Sequence, residues 1–285
     1  MMKAKSLITA TIMAVAIAGL QSCTDFNPTN LSSRKKGFID SKKWGKVVSK
    51  ELDLQGFNAI HTYSNVDIIY TQDKEYKVCI EGNENALTYY QISVDDGVLT
   101  DRIAKNTTGN IPSVRLRVTA PTLHEINVNG AGDIDIKKKS KFDTLSINIQ
   151  GAGDIDINHI ECDRLTVDIS GAGDIKAQNI QCNSATVSIS GAGDADFRNL
   201  TSTGNIECHC SGAGDIDALV KCPTLQIVSN GAGDMDIEAE CDFISAEASG
   251  TGHIEINGCT QELKRDERGL SKIDTKGLRV DRFIK

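Results

Sequence analysis

The chain has 285 residues and carries 39 acidic against 31 basic side chains, a formal net charge of −8. That balance argues against a nucleic-acid partner, because phosphate backbones are met by basic patches. An aromatic content of 5% also speaks against a groove that stacks sugars.

Residues 1–22 combine Lys3 and Lys5 with an apolar run from Leu7 to Leu20 and end in Leu20-Gln21-Ser22 before Cys23. The run is shorter than the roughly 20 apolar residues a spanning helix needs, so it reads as an export signal. Leu20-Gln21-Ser22-Cys23 resembles the lipobox of bacterial lipoproteins, which would place cleavage before Cys23 and acylate it. A plain secretory signal with an incidental cysteine is the alternative. More than one acyl chain on Cys23 would hold the protein to a membrane. Without Lys3 and Lys5, 29 basic face 39 acidic side chains, a net charge of −10. Residues 23–45 are polar and lysine-rich, with no apolar periodicity, and form a flexible tether.

Residues 46–128 alternate apolar and polar positions, as in Val66-Asp67-Ile68, Tyr76-Lys77-Val78 and Val114-Arg115-Leu116-Arg117-Val118, with Asp95-Asp96-Gly97 as a turn. The period of two predicts strands. They make either irregular first coils or the cap that an open solenoid end requires.

Between 129 and 258 one motif recurs: Gly130-Ala131-Gly132-Asp133, then the same four residue types from Gly151, Gly171, Gly191, Gly212 and Gly231, and a degenerate Gly250-Thr251-Gly252-His253. Successive first glycines lie 21, 20, 20, 21, 19 and 19 residues apart, a period that marks a solenoid. Apolar residues fall two, four and six positions before each first glycine, as at Leu145, Ile147 and Ile149, and four and six after it, as at Ile155 and Ile157. The second glycines, Gly132, Gly153, Gly173, Gly193, Gly214 and Gly233, share that inward parity. Each pair forms a pinch where a side chain would not fit. Nine positions before the glycine stand Phe142, Cys162, Cys182, Thr203, Cys222 and Cys241. This places all length variation in one loop, around Asn158-His159 and its equivalents. Stacked at about 4.8 Å, the seven repeats make a rod segment of about 34 Å.

Outward positions line up two acidic columns. The first is Asp133, Asp154, Asp174, Asp194, Asp215 and Asp234; the second is Asp135, Asp156, Lys176, Asp196, Asp217 and Asp236. Neighbouring charges repel by about 0.9 kcal/mol in water at coil spacing, so something must offset them. Backbone N–H groups at the bend are one answer. Calcium held by carboxylates of adjacent coils is the other, with Asp133, Asp135, Asp154, Asp156, Asp194, Asp196, Asp215, Asp217, Asp234 and Asp236 as candidate ligands. No other cofactor is indicated.

Cys162 with Cys182, or Cys222 with Cys241, would lie within disulfide reach in adjacent coils; a stack of buried thiols is the alternative. Cys208 and Cys210 fall on inward positions, and Cys259 follows the corner. The Cys208-His209-Cys210 stretch is a poor zinc set, because a strand points its histidine away from its cysteines. His61, His124, His159 and His253 are scattered without a paired nucleophile, and no phosphate loop occurs. A carboxylate column repeated coil after coil lacks the singular residues that a glycosidase needs. Asn106-Thr107-Thr108 fits a glycan acceptor pattern, discounted in a chain with a bacterial lipobox. Residues 259–285 turn charged, and Ser271-Lys272-Ile273-Asp274 looks like a last coil.

The order Gly56-Phe57-Asn58-Ala59-Ile60, Val66-Asp67-Ile68-Ile69-Tyr70-Thr71-Gln72, Tyr76-Lys77-Val78, Asp96-Gly97-Val98-Leu99 and then repeated Gly-Ala-Gly-Asp resembles the putative auto-transporter adhesin head GIN domain family over residues 46–280. The resemblance also fits a Bacteroidetes-type lipoprotein. It implies an all-β fold, a right-handed single-stranded parallel β-helix (β-solenoid) of about 20 residues per coil, and a cell-surface or periplasmic role. It brings no catalytic residues. The expectation is a non-enzymatic envelope lipoprotein, anchored through Cys23 to a membrane and outer-membrane or surface facing, that meets a protein or glycan partner. A polysaccharide-binding or polysaccharide-active β-helix, possibly calcium-dependent, is the rival.

Overall fold

A computed structural model describes residues 44–105, 107 and 109–284. The signal, Cys23, most of the tether, Asn106 and Thr108 lie outside them. The chain is a parallel β-helix of about eight turns, about 20 residues each, with 66% of residues in strands.

Strands β1 (Val47–Leu52), β2 (Ala59–Thr62), β3 (Val66–Gln72), β4 (Lys77–Asn83), β5 (Tyr90–Asp95), β6 (Val98–Ile103) and β7 (Val114–Ala120) occupy the N-terminal third. There follow β8 (Glu125–Val128), β9 (Ile134–Ile136), β10 (Ser140–Ile149), β11 (Ile155–Ile169), β12 (Ile175–Ile189), β13 (Ala195–Ser202) and β14 (Asn205–Cys210). The series ends with β15 (Ile216–Ser229), β16 (Met235–Ala248), β17 (His253–Glu267), β18 (Lys272–Asp274) and β19 (Leu278–Ile284).

The N-terminal strands divide into a coil and a cap. β2 and β3 form the first coil: β2 pairs in parallel with β8 on one side and β6 on the other, and β3 with β9 and β7. The cap is an excursion between this coil and the next. In it β4 runs antiparallel to β1 and β7, and β5 to β6. The β5–β6 turn sits at Asp96 and Gly97, both at positive φ (48° and 81°), the geometry that suits a tight hairpin.

From β10 onward the ladders are parallel. Two consecutive outward residues interrupt the alternation of β11 at Asn158-His159 and again at Asp163-Arg164, and the same break recurs in β12. With the Gly-Ala-Gly-Asp bend these corners divide each coil into three short sides. The strand runs through the first corner in register, His159 facing Asn179, so that corner is no loop.

Three features of the expected register are corrected. Cys241 pairs with Thr260 rather than Cys259, which faces Glu240. Cys182 pairs with Ser202 rather than Thr203, and the extra residue of that coil sits at Thr203-Gly204, after the column. Length therefore varies at two corners, because the compensating deletion falls near Leu219, between Phe197↔Ala218 and Leu200↔Val220.

The core is a set of like-on-like columns. Ile155, Ile175, Ala195, Ile216, Met235 and Ile254 stack on one side, Leu145, Leu165, Ala185, Ile206, Leu225 and Ile244 on another, and all are buried. Each fully buried Leu or Ile contributes about 1.5–3 kcal/mol of transfer free energy. Conformational entropy opposes that gain. The motif Ser271-Lys272-Ile273-Asp274 does form a last coil, with β18 on β17.

Candidate functional site

The bend Gly-Ala-Gly-Asp is built by contact between coils. The second glycines are buried, the first half-buried, and the alanine between them exposed. A Cβ on Gly153 would overlap the carbonyl oxygen of Gly132 in the coil below, and one on Gly151 that of Gly130. The same obstruction repeats at Gly171, Gly173, Gly191, Gly193, Gly212, Gly214, Gly231 and Gly233; Gly130 and Gly132 meet the backbone of Ser64 and Val66. The tight approach runs along the stack, backbone on backbone.

The first aspartate column completes this bend. Each carboxylate accepts the backbone N–H of the aspartate one coil on: Asp154 N–H to Asp133 Oδ1 at 3.1 Å, Asp174 to Asp154 at 3.0 Å, Asp194 to Asp174 at 2.9 Å, Asp215 to Asp194 at 2.8 Å and Asp234 to Asp215 at 2.7 Å. The ladder starts at Asp67, which takes Asp133 N–H at 3.4 Å, and ends where His253 N–H meets Asp234 at 2.7 Å. In return the residue after each aspartate donates its N–H upward, Ile134 to the Asp154 carbonyl at 2.8 Å and Ile155 to that of Asp174 at 2.8 Å. Each such bond contributes about 1 kcal/mol where water reaches it and about 1.5–3 kcal/mol where it is shielded, which offsets the repulsion of about 0.9 kcal/mol per neighbour.

The second column differs. Asp135 pairs with Lys137 at 3.0 Å and Asp196 with Arg198 at 2.9 Å, whereas Lys176 faces Asp156 and Asp196 in register. The Asp217 carboxyl is held above its usual range by partial burial and then by the charges of Asp236 and Asp196; Asp236 is raised by burial and then by Glu255 and Asp234. Among the described residues no three His, Cys, Asp or Glu side chains converge in a way that could hold a metal ion.

Other outward positions, half-buried at Asn127, Asn148, Asn179 and Asn199, carry short amide ladders. Asn148 Nδ2 donates to Asn127 Oδ1 at 2.7 Å and Asn127 Nδ2 meets His61 Nε2 at 2.8 Å. Asn199 Nδ2 donates to Asn179 Oδ1, and Thr203 and Asn183 link on toward Asp163.

Two cavities indent the rod. One of about 220 Å³ lies across the second aspartate column between Lys137, Asp156 and Lys176. The other, about 410 Å³, opens at the second corner near the C-terminal end, lined by Lys221, Cys222, Glu240, Cys241, Cys259 and Arg279 among others. Neither is lined by an aromatic side chain; the exposed Tyr63, Tyr89 and Phe283 lie elsewhere. All eight described cysteines are free thiols. Burial pushes Cys162 and Cys208 up to about 12, so both are protonated at neutral pH.

Sequence reasoning missed Asp101. This buried carboxylate on β6 accepts the N–H groups of Tyr63 and Ser64, each at 3.1 Å, and the Ser64 hydroxyl. It secures the cap to the first coil where Ser64 and Val66 stand in for the two glycines. No residue pattern marked it, since its partners are 37 and 38 positions away. Asp67, the foot of the first ladder, was legible in Val66-Asp67-Ile68, which repeats the bend without its glycines.

In sequence, no relative among curated proteins matches the chain. Solved structures of similar fold are a putative adhesin from Bacteroides fragilis (24% identity, 84% of this chain and 98% of that one, TM-score 0.64) and a putative adhesin from Parabacteroides merdae (21%, 85% and 97%, TM-score 0.74). A putative lipid binding protein from Parabacteroides distasonis is also similar (21%, 85% and 98%, TM-score 0.70). The family model described as "Putative auto-transporter adhesin, head GIN domain" matches residues 56–222 and 217–284, nearly the whole described solenoid, and the chain belongs to that family.

Proposed function

We propose that the chain is a non-enzymatic adhesive or scaffolding module of the cell envelope. Acylated Cys23 anchors it to a membrane, residues 24–45 space it from that surface, and the rod presents its ladders to a protein or glycan partner. The observation that supports this best is the repetition itself. Along the first aspartate column the same polar group recurs from coil to coil, hydrogen-bonded to its neighbours, so that side offers a row of equivalent contacts rather than one unique centre. Weak contacts of that kind gain by multivalency. Membership of an adhesin-head family is in keeping with it.

The test is an array of extracellular proteins and polysaccharides probed with the full mature chain, with reducing ends assayed for every polysaccharide bound. Saturable binding without new reducing ends is expected. New reducing ends would replace the adhesive reading with a polysaccharide-active one, and an array without any binding would remove adhesion. Anchoring is checked separately by labelled palmitate in a bacterial host, with incorporation lost in Cys23→Ala.

A further inference from the structure

The larger cavity holds a feature that adhesion does not use. At the second corner, six of the seven successive coils put a small side chain in one inward column: Cys162, Cys182, Ser202, Cys222, Cys241 and Thr260 follow Phe142. Two pairs of cysteines are register partners in adjacent strands, yet their sulfurs behave differently. Cys182 Sγ turns to the carbonyl of Thr201 at 3.7 Å. Cys222 Sγ lies 3.2 Å from the carbonyl of Thr224 and also meets Cys241 Sγ at 3.5 Å. Cys222 and Cys241 both line the cavity, whose rim mixes Lys221 and Arg279 with Glu240, Asp242 and Asp281, so a small reagent has a route to them.

We propose that Cys222 and Cys241 are a thiol–disulfide exchange site, oxidised by a low-molecular-weight or protein disulfide to a bridge between neighbouring coils, while Cys162 and Cys182 stay reduced. Parallel register partners stand about 4.8 Å apart, inside the Cα range that disulfides span. Forming the bond closes the sulfurs from 3.5 Å to about 2.05 Å. Cys241 is the attacking group: the hydrogen bond from Cys222 lowers it, whereas Cys222 is raised by that bond and then by burial. Its thiolate attacks one sulfur of R–S–S–R, forming Cys241–S–S–R and releasing RS⁻. The Cys222 thiolate then displaces the second RS⁻ from the Cys241 sulfur. The two thiol protons leave on two RSH, and the protein loses two electrons to the reagent.

The experiment uses the full chain, reduced, desalted and incubated with oxidised glutathione, then alkylated under denaturing conditions and mapped by mass spectrometry. The expected result is one internal link joining the Cys222 and Cys241 peptides, about 2 Da below their sum, with Cys162 and Cys182 alkylated. The oxidised protein should melt roughly 5–10 °C higher, because a bridge across 19 positions restricts the unfolded chain. Cys222→Ser should trap glutathione on Cys241. Recovery of both thiols in alkylated form, a Cys162–Cys182 link, or glutathione on both Cys222 and Cys241 of the wild type would overturn the proposal. The wild-type map decides whether or not the serine variant folds.

Discussion

Glycine and aspartate do different jobs in one bend, and single substitutions separate them. Gly193→Ala places a methyl group on the carbonyl of Gly173; backbone cannot move aside as a side chain can, so the cost should exceed about 3 kcal/mol. Ala192→Ser, one residue earlier and exposed, should leave thermal stability within about 0.5 kcal/mol. Equal melting temperatures for Gly193→Ala and wild type would contradict the close approach. Asp194→Ala removes the acceptor of Asp215 N–H. Because that site is exposed and water can partly replace the carboxylate, the loss should be about 1 kcal/mol, the lower end for an orphaned donor. Asp194→Asn keeps an oxygen in place while removing a charge from the column, and should lose less than half as much. A melt in which alanine and asparagine are equally harmful would show that charge, not acceptance, matters at that site.

At the scale of strands and columns, the period of two and the 19–21-residue repeat made the coil legible, because inward and outward faces alternate wherever one face is buried. The corners were not. A β-helix turns by putting two residues outward in succession, as at Asp163-Arg164, and such a pair looks in sequence like ordinary polar strand. Thr203 was misplaced for the same reason: Ser202, Thr203 and Gly204 offer no apolar contrast to fix which of them faces in. The two aspartate columns look alike in sequence, yet the first is pinned by N–H groups whereas Asp135 and Asp196 of the second meet cationic side chains. Asp217 and Asp236 hold their protons more tightly than the ordinary carboxyl at 3.8. The stability linked to them is thus complete below about pH 3.8 and is lost as pH rises through their folded values. Asp236→Asn should therefore melt higher than wild type at pH 7 and no higher near pH 3.5, and the difference should shrink in about 1 M salt, where the screening length is ~3 Å. A pH-independent difference would show that the column's charge is not its cause. Calcium at fixed ionic strength should shift the wild-type melt no more than magnesium does, since the first column's Oδ1 atoms already accept N–H groups. A calcium-specific rise would assign the carboxylates as ligands.

For the molecule as a whole, the ends differ more than the middle. The cap covers the N-terminal end with β6 and β7, whereas β19 pairs, among the described residues, with β17 alone, and Leu270 and Phe283 near that end are 85% and 69% exposed. Amide exchange should consequently be slowest in β11, β12 and β16 and quicken through β18 and β19, as nearest-neighbour coupling in a repeat array requires. Uniform protection to the C-terminal strand would contradict that gradient. The cap itself was only half legible, for its strands alternate in sequence as the coils do, but nothing local says that the chain completes one coil, leaves it, and returns. That detour gives the molecule a direction of growth. Residues up to 124 close a seed that offers the edges of β2 and β3 as parallel templates for β8 and β9. A chain emerging from its N-terminus can add rungs to those edges, each laid on its predecessor. The stack lengthens as a crystal does from a single exposed plane.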